Sequence, residues 1–489
     1  MGRCILRVYF HRPHRRRALL LGRTVALLGR YSMSLRTLGH LRPNGQRRRH
    51  CLLCNRQTLD PTTMFSSFFS TSAPVDPNAP TFHPVAPPAG QTFGPLEPKD
   101  NEWACVNSGF VTETQVFYTI GDDGTFMILQ IIHSAVGLWY PTIQFTCKIY
   151  NPKTKETTWK SINVNNFTTP PPNLDKRSCK ADEFSVTYKS APGSEYPESY
   201  NIRANLAADL QVSLEVSRPQ NVSGWKAGPG EKGGYSYFGA DLTKPEGYVV
   251  HRFWPRYYAT GHIIRSGAAE SIQGAGMFVH AIQGMRPNLV ASGWNFAHFQ
   301  SAELGGVSAL QMEFTTIEGY GKSGASSGGV VVNVGSVVVG DKLTAVTAET
   351  RYPEVLADGA TRVVGDDNAP VLSRAIQLTP EHDPATGYNV PTALEYEWKG
   401  LSILPDAPGT VTAKVHLDVG GNASPQGLIE KVDVLAEIPK VIKLAVNYVA
   451  GTKPYVYQWL NPAKLLLSPP GSEATEVEGT LYNEATFIS

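Results

Sequence analysis

Alternation of apolar and polar residues is the sequence feature that most constrains how this chain can fold. Apolar side chains occupy every second position through residues 210–216, 310–314 and 411–419. Successive side chains of a β-strand point to opposite faces, so each segment is predicted to be a strand with one buried face and one wet face. Turn signals, such as GDDG at 121–124 and YNPKTKET at 150–157, separate these segments. We therefore predict an all-β fold of antiparallel meanders or barrels.

Length and charge divide the chain into unequal parts. Its 489 residues exceed the size at which a single core stops growing, which predicts two folded domains. Of the 44 basic and 42 acidic residues, residues 1–63 hold fourteen Arg and one acid, Asp60. The remainder carries 30 basic against 41 acidic side chains. Nucleic acid is not an expected partner, because phosphate contacts need a surplus of Lys and Arg.

The basic leader, residues 1–63, has two interpretations. It is either an upstream extension of the gene, with Met64 as the working start, or a transit peptide that is Arg-rich and acid-poor but short of serine. Its apolar run at 18–29 is too short to span a bilayer and contains Arg23. The CxxC pair in this leader has no second half at zinc spacing, so no metal site is expected.

Residues 64–74, MFSSFFSTSAP, have the pattern of a short amphipathic helix. Met64, Phe65, Phe68 and Phe69 share one side, Ser and Thr share the other, and Pro74 ends the segment. The polar side carries no charge, so membrane contact would depend on inserted Phe side chains and would be weak and reversible. A flexible start with incidental aromatic residues is the open alternative.

Composition and periodicity predict the structure of three further segments. Residues 75–96 contain too many prolines for a helix or a central strand and are predicted to be a linker, with folded sequence beginning near Trp103. Residues 438–451 have the apolar stripe of a helix, which would pack on the outer wall of a barrel. Residues 463–489 are acidic and polar and are predicted to be a disordered tail.

No motif in the chain predicts catalysis, a cofactor or a metal. The stretch GYGKSG at 319–324 matches a glycine-rich loop, but Thr316 stands where a P-loop needs glycine, so we predict a flexible hairpin loop. The histidines occur singly, without metal-ligand spacing. His280 shares a strand face with Phe278 and Ile282 and is predicted to be a buried histidine with satisfied hydrogen bonds.

The three cysteines after residue 63 are Cys105, Cys147 and Cys179. So few cysteines do not make a disulfide scaffold, which favours a reducing, cytosolic compartment. Cys147 alternates with apolar residues and is predicted to be an inert core thiol. Cys179 lies between Lys176, Arg177 and Lys180, and these cations would lower its pKa, so it is a redox candidate. An unreactive loop cysteine is the alternative.

Dense aromatic and apolar blocks suggest a ligand cavity. A β-barrel can enclose one small apolar ligand, and aromatic walls suit a lipid better than a sugar or a nucleotide. The candidates for the lining of such a cavity are Trp139, Tyr140, Trp254 and Trp294.

Four blocks resemble the fungal survival factor family, which acts in cell survival under oxidative stress. They are GTFMILQIIHSAVGLWYPTIQFTCKIYN, HRFWPR, MFVHAIQGMRPNLVASGWNFAHFQS and IEKVDVLAEIPKVIKLAVNYVAGTKPYVYQW. The resemblance implies two tandem lipocalin-like (calycin) β-barrel domains, at 97–262 and 263–462, with a C-terminal helix and a disordered N-terminal leader. It also implies a membrane-contact helix at the matching positions Met64, Phe65, Phe68 and Phe69.

The function implied by the resemblance is non-enzymatic. The chain is expected to bind ceramide and carry it from the endoplasmic reticulum to the Golgi, supporting complex sphingolipid synthesis and survival under oxidative stress. It would act in the cytoplasm and on the surface of endoplasmic reticulum and cis-Golgi membranes, with the nucleus as a further location. Two alternatives stay open: an enzyme of the lipocalin-like pericyclase type, and a stress-response scaffold. The sequence leaves open the oligomeric state and which barrel would hold the lipid.

Overall fold

Antiparallel strands make up nearly all the regular structure of the computed structural model. It describes residues 76, 78–87, 90–137, 141–323, 328–356, 359–437 and 453–488. Within this part of the chain the helices are short: α1 (Pro287–Val290), α2 (Val434–Glu437) and 3-10 turns at Pro98–Asn101 and Glu303–Gly305. The predicted all-β class is confirmed.

The first sheet has fourteen strands in antiparallel pairs. They are β1 (Phe82–His83), β2 (Phe93–Pro95), β3 (Gly109–Gly121), β4 (Phe126–Gly137), β5 (Thr142–Asn151), β6 (Glu156–Asn163), β7 (Cys179–Lys180), β8 (Phe184–Ser190), β9 (Glu198–Ala207), β10 (Leu210–Arg218), β11 (Trp225–Ala227), β12 (Tyr235–Phe238), β13 (Gly247–Arg265) and β14 (Ala268–Gln283). The main order is β6-β5-β4-β3-β14-β13-β10-β9-β8-β7. The four short strands β1, β2, β11 and β12 branch from β13.

The first sheet curls until its two end strands meet. Thr168, which follows β6, forms a bridge with Lys180 of β7, and the amide of Asp182 donates to the carbonyl of Asn165 at 3.0 Å. The alternation predicted for residues 210–216 is confirmed in β10, where buried and partly exposed residues alternate along the whole strand. The buried face points into the barrel.

The second sheet has eleven strands, also in antiparallel pairs. They are β15 (Gly293–Ser301), β16 (Val307–Thr315), β17 (Val331–Val339), β18 (Lys342–Val355), β19 (Thr361–Val364), β20 (Leu372–His382), β21 (Asn389–Leu401), β22 (Thr410–Asp418), β23 (Leu428–Asp433), β24 (Tyr455–Ser468) and β25 (Thr475–Phe487). The main order is β19-β18-β17-β16-β15-β25-β24-β22-β21-β20, with β23 beside β24. This sheet also curls back on itself, since Ala345 of β18 bridges Ser402, just after β21.

Three apolar clusters hold the molecule together. One fills the interior of the first barrel, one fills the interior of the second, and the third lies between the two sheets. In the third cluster the rings of Phe126 in β4 and Tyr482 in β25 stack with centroids 4.1 Å apart. The outer faces of the two barrels are therefore joined by an apolar core rather than by a flexible linker.

Strand β16 corrects the prediction that residues 310–314 have one wet face. Leu310 and Phe314 pack into the cluster between the sheets, and the opposite face points into the second barrel. Gln311 and Glu313 on that inner face are 0% and 3% exposed. Polar residues are tolerated there because they are paired: Glu313 accepts hydrogen bonds from Asn333 and Arg351, both at 2.9 Å.

The predicted linker at 75–96 is partly built into the fold. β1 and β2 lie within it, and Phe82 is 3% exposed, with its ring 5.0 Å from that of Phe238 and 6.1 Å from that of Phe314. Phe238 belongs to the first sheet and Phe314 to the second, so Phe82 packs against both. The expectation that folded sequence begins near Trp103 was wrong, because single apolar residues among prolines anchor the earlier segment.

The prediction that the acidic tail at 463–489 is disordered was also wrong. β24 extends to Ser468, and β25 pairs with β15 on one side and β24 on the other. The predicted change of domain at 262 and 263 falls within β13, whereas the change of sheet comes between the end of β14 and the start of β15. The chain thus changes sheet near α1.

Several predicted elements lie outside the described residues. They are the leader at 1–63, the helix at 64–74 and the helix at 438–451. The two strands of the hairpin predicted around GYGKSG are confirmed, because β16 and β17 on either side of this segment pair antiparallel. Within the described residues, no helix has the length and hydropathy required to cross a membrane.

Candidate functional site

Aromatic side chains fill the interior of the first barrel. The rings of Phe145 in β5 and Phe184 in β8 have centroids 4.9 Å apart. Trp254, one of the four residues predicted to line a lipid cavity, is fully buried here. Its ring lies 5.0 Å from that of Tyr200 and 5.3 Å from that of Phe278. The structure therefore places Trp254 in a packed core.

Trp294 lies in a different part of the molecule. It is half-buried at the start of β15 and packs into the cluster between the sheets, with its ring 5.3 Å from that of Phe314. Trp139 and Tyr140 lie outside the described residues. The structure therefore does not bring Trp254 and Trp294 together around one cavity.

A groove between the two sheets is large enough for a small molecule. It has a volume of about 770 Å³ and is open to solvent. The first sheet lines it with residues 120–122, 256, 258–260 and 273–275, and the second with 300–302, 305–306 and 478–480. We call it the inter-sheet groove. Because both sheets contribute walls, it exists only when the two barrels are packed together.

An ion pair between the buried Arg256 and the partly exposed Asp341 forms the floor of the inter-sheet groove and joins the two sheets. The guanidinium of Arg256, on β13 and 2% exposed, donates from Nε to Asp341 Oδ1 at 2.8 Å. The hydroxyl of Tyr258 donates to the other oxygen of Asp341 at 2.6 Å. Gly306 adopts a positive φ of 104°, and a Cβ there would lie 2.4 Å from Asp341 Oδ1, so a side chain at this position would disturb the pair.

The floor network continues into the second sheet through Gln300. Gln300 Oε1 accepts from Arg256 Nη1 and, at 2.7 Å, from the hydroxyl of Ser308. Its Nε2 lies 2.5 Å from Nε2 of His298, the next residue along the same face of β15. His298 is fully buried, and its pKa is lowered to about 3 by burial and by the nearby charge of Arg256. The imidazole is therefore neutral at physiological pH.

The groove combines these polar groups with apolar wall residues such as Ile120 and Ala275. Ligand sites of this kind, with a volume of about 300–1,000 Å³ and a few convergent polar groups, typically bind small amphiphiles or cofactors. The arrangement can take an uncharged polar head on its floor and hydrocarbon along its walls.

A second buried network lies outside the groove and is structural. His280 is fully buried, with Nδ1 2.8 Å from the carbonyl of Asp100 and Nε2 2.8 Å from Glu113. Glu113 also accepts from the amides of Ala104 and Cys105, both at 2.8 Å. Burial alone would raise the pKa of Glu113, but these hydrogen bonds and the interaction with His280 lower it. The prediction of a satisfied buried histidine is confirmed.

The cysteines behave as core residues. Burial raises the pKa of Cys147 to about 12, so the predicted inert thiol is confirmed. Cys179 is 1% exposed, and burial raises its pKa well above the ordinary value. The prediction that Cys179 is a redox site is therefore corrected. Its sulfur is inaccessible, and the nearby cation Arg177 is paired with Asp175 at 2.8 Å.

Neither a metal centre nor a lipid-sized cavity is found at two other places in the described residues. Within the described residues, no group of three or more His, Cys, Asp and Glu is placed to hold a metal ion. A cavity of about 30 Å³ at one end of the second barrel is bordered by Tyr457, Trp459 and Lys431. This space is close to that of one or two water molecules, so it does not accommodate a lipid as it stands.

Sequence reasoning did not find the residues of the groove floor. Arg256 falls inside the aromatic segment HRFWPRYY, and His298 falls inside NFAHF. A charged or titratable residue among aromatic residues was the one sequence signal that could have pointed to a buried polar site. The signal was incomplete because Gln300 and Asp341, the partners of Arg256, belong to the second sheet and only the packing of the two sheets brings them close to it.

Solved structures that align with this chain are distant from it in sequence. A putative AttH from Nitrosomonas europaea aligns with a TM-score of 0.45 at 13% identity, over 82% of this chain and 98% of that one. Kievitone hydratase from Nectria haematococca aligns with a TM-score of 0.42 at 9% identity, over 83% and 98%.

Relatives in sequence are much closer. A protein of Schizosaccharomyces pombe named ceramide-binding protein svf1 is 35% identical over 405 residues, which are 81% of this chain and 90% of that protein. The protein of the same name in Aspergillus fumigatus is 32% identical over 428 residues, which are 83% of this chain and 93% of that protein. In Neurospora crassa, ceramide-binding protein svf-1 is 32% identical over 393 residues, or 80% and 88%.

These comparisons confirm the resemblance seen in the sequence blocks. The model of the Svf1 family matches residues 65–489, so the chain belongs to the Svf1 family. The matched range includes both sheets and every strand of the inter-sheet groove.

Proposed function

We propose that this protein binds ceramide in the inter-sheet groove and carries it from the endoplasmic reticulum to the Golgi without converting it. The observation that carries the proposal is the similarity to relatives named ceramide-binding proteins over four fifths of this chain. Through ceramide delivery, the protein would support complex sphingolipid synthesis and survival under oxidative stress.

The groove supports this proposal by its size and chemistry. Its volume of about 770 Å³ is within the range of small-molecule sites, and both interiors of the barrels are filled by their own side chains. The head of ceramide is neutral and carries hydroxyl and amide groups. Gln300, Tyr258 and Ser301 offer hydrogen-bonding groups beside such a head.

Membrane contact is proposed for Met64, Phe65, Phe68 and Phe69. Burying three Phe side chains contributes roughly 5–9 kcal/mol, while ordering about eight backbone residues costs roughly 8 kcal/mol or more. Such a segment binds membranes weakly and releases them quickly, which suits a carrier that visits two compartments. We propose a cytoplasmic protein that is peripheral on endoplasmic reticulum and cis-Golgi membranes.

Ceramide transfer between donor and acceptor vesicles tests the carrier function. The purified full chain is expected to accelerate transfer of ceramide, and a variant with Phe65, Phe68 and Phe69 changed to Ser is expected to transfer at least several-fold more slowly while still binding ceramide in detergent. The slower rate follows from the loss of inserted apolar surface.

The matched control changes three residues of the same short segment, Ser66, Ser67 and Ser70, to Thr, and should transfer at the wild-type rate. Equal transfer by the Phe variant would contradict the role of this segment. Recovery of a chemically altered lipid from the reaction would instead support the enzymatic alternative.

A further inference from the structure

One rim of the inter-sheet groove carries an exposed leucine on a left-handed backbone. Leu304 lies in the turn between β15 and β16 and is 52% exposed, with a φ of 52° and a ψ of 29°. Its neighbours Ala302, Gly305 and Gly306 line the groove. We infer that this turn contacts the lipid bilayer, with Leu304 inserted among the lipid headgroups, while the groove takes up or releases its lipid. This inference rests on the proposed function.

The backbone conformation of Leu304 is unusual for its residue type. The left-handed region is disfavoured for residues with a Cβ and is adopted mainly by Gly, Asn and Asp. Gly305 and Gly306 follow with φ values of 73° and 104°, so glycine would also be the unstrained residue at position 304. Strained residues of this kind persist where the surrounding structure holds them, and they concentrate at functional sites. Folding alone therefore does not account for a leucine at this position.

Hydrogen bonds on both sides of the turn hold it in this conformation. The amide of Glu478 in β25 donates to the side-chain Oε2 of Glu303 at 2.9 Å. The amide of Gly306 donates to the carbonyl of Glu303 at 2.9 Å, and the amide of Asp341 donates to the carbonyl of Gly306 at 3.3 Å. The turn is therefore a fixed projection at the rim, and it keeps Leu304 exposed to solvent.

The position of this turn makes a bilayer its expected partner. A single exposed leucine is ordinary on a protein surface, but this one belongs to a strained turn that forms a wall of the proposed lipid groove. A lipid that moves between a bilayer and the groove passes this rim, and direct contact would keep its hydrocarbon out of water. On the side of the first sheet, the partly exposed Tyr196 packs with its ring 6.3 Å from that of Tyr258, which lines the groove. Tyrosine is favoured at membrane interfaces, so both sheets place a suitable side chain near the groove.

Fluorescence quenching by brominated lipids tests the membrane contact directly. The full chain carrying Leu304→Trp is mixed with phosphatidylcholine vesicles that have bromine on their acyl chains. Leu242→Trp is the matched control, because Leu242 is also 52% exposed but precedes β13, about 30 Å along that strand from Arg256. The native tryptophans are common to all the proteins. The variant at position 304 should show more quenching than wild type, and the variant at position 242 should not.

Leu304→Asn separates membrane contact from folding. Asparagine adopts the left-handed conformation more readily than leucine, so the midpoint of thermal unfolding should equal or exceed that of wild type. Ceramide binding in detergent should be unchanged. Transfer of ceramide between vesicles should slow about fivefold, because insertion of one leucine side chain is lost. Leu242→Asn should transfer ceramide at the wild-type rate.

The outcomes distinguish this inference from the proposed function. Equal quenching of the two tryptophan variants, or wild-type transfer by Leu304→Asn, would overturn the inference alone. A lower unfolding midpoint together with weaker ceramide binding for Leu304→Asn would also overturn it, because the leucine would then have a structural role. Absence of ceramide binding by wild type in detergent would instead remove the proposed function, while the quenching measurement would still show whether the turn contacts a bilayer.

Discussion

Buried histidines make the stability of this protein sensitive to acid. His251 is 7% exposed, and burial lowers its pKa from 6.5 to about 4. Below pH 6.5 the unfolded chain binds a proton at this site and the folded chain does not, so stability falls as the pH drops from 6.5 towards about 4. The full effect of a shift of this size is about 3 kcal/mol.

His251→Gln removes this titration and tests its origin. Urea unfolding between pH 7.5 and 4.5 should show a shallower loss of the free energy of unfolding for this variant than for wild type. His416→Gln, at a side chain that is 57% exposed, serves as the control and should keep the wild-type slope. Identical slopes for wild type and His251→Gln would contradict the assignment.

For single residues, the sequence pattern correctly predicted burial where burial depends only on the residue's own strand. Cys147 and His280 were correctly assigned because alternation alone placed them on a buried face. Cys179 was assigned to a reactive environment from its cationic neighbours in sequence, but tertiary packing buried the sulfur. Arg256 depends on Gln300 and Asp341 of the other sheet, which no local pattern reveals.

At the scale of elements, the C-terminal strand β25 is required for the second sheet. It lies between β15 and β24, and Val477, Leu481 and Ala485 face the barrel interior. The acidic composition of this segment comes from its outer face, which led to the prediction of a disordered tail. Alternation was present but was interrupted by Gly479 and Asn483 on the inner face.

Truncation after Pro470 is expected to abolish cooperative folding of the second sheet. Removal of β25 would leave β15 and β24 each with one unpaired edge and would expose the apolar interior. Circular dichroism during thermal unfolding should show a lost or strongly broadened transition, whereas a chain that ends at Phe487 should unfold like wild type. A truncated chain with an unchanged transition would show that β25 is dispensable.

At the scale of the whole molecule, the packing of one barrel on the other creates the candidate site. The inter-sheet groove and its floor of Arg256 and Asp341 both require the apolar cluster between the sheets. The sequence predicted two barrels and a lipid ligand, but the aromatic residues proposed to line a cavity were chosen from composition. Composition does not distinguish a packed core from a cavity, so the groove could be located only in the structure.

The most direct test of the central claim is native mass spectrometry of ceramide retained by the purified chain when the groove is blocked. Thr260→Trp and Ala302→Trp place a large ring in the groove from opposite walls, at positions that are exposed and so tolerate the change. Thr157→Trp on β6, also exposed, is the matched control outside the groove. We predict one ceramide per chain for wild type and Thr157→Trp and a severalfold lower occupancy for both groove variants. Equal occupancy in all four proteins, or no ceramide in wild type, would contradict the account.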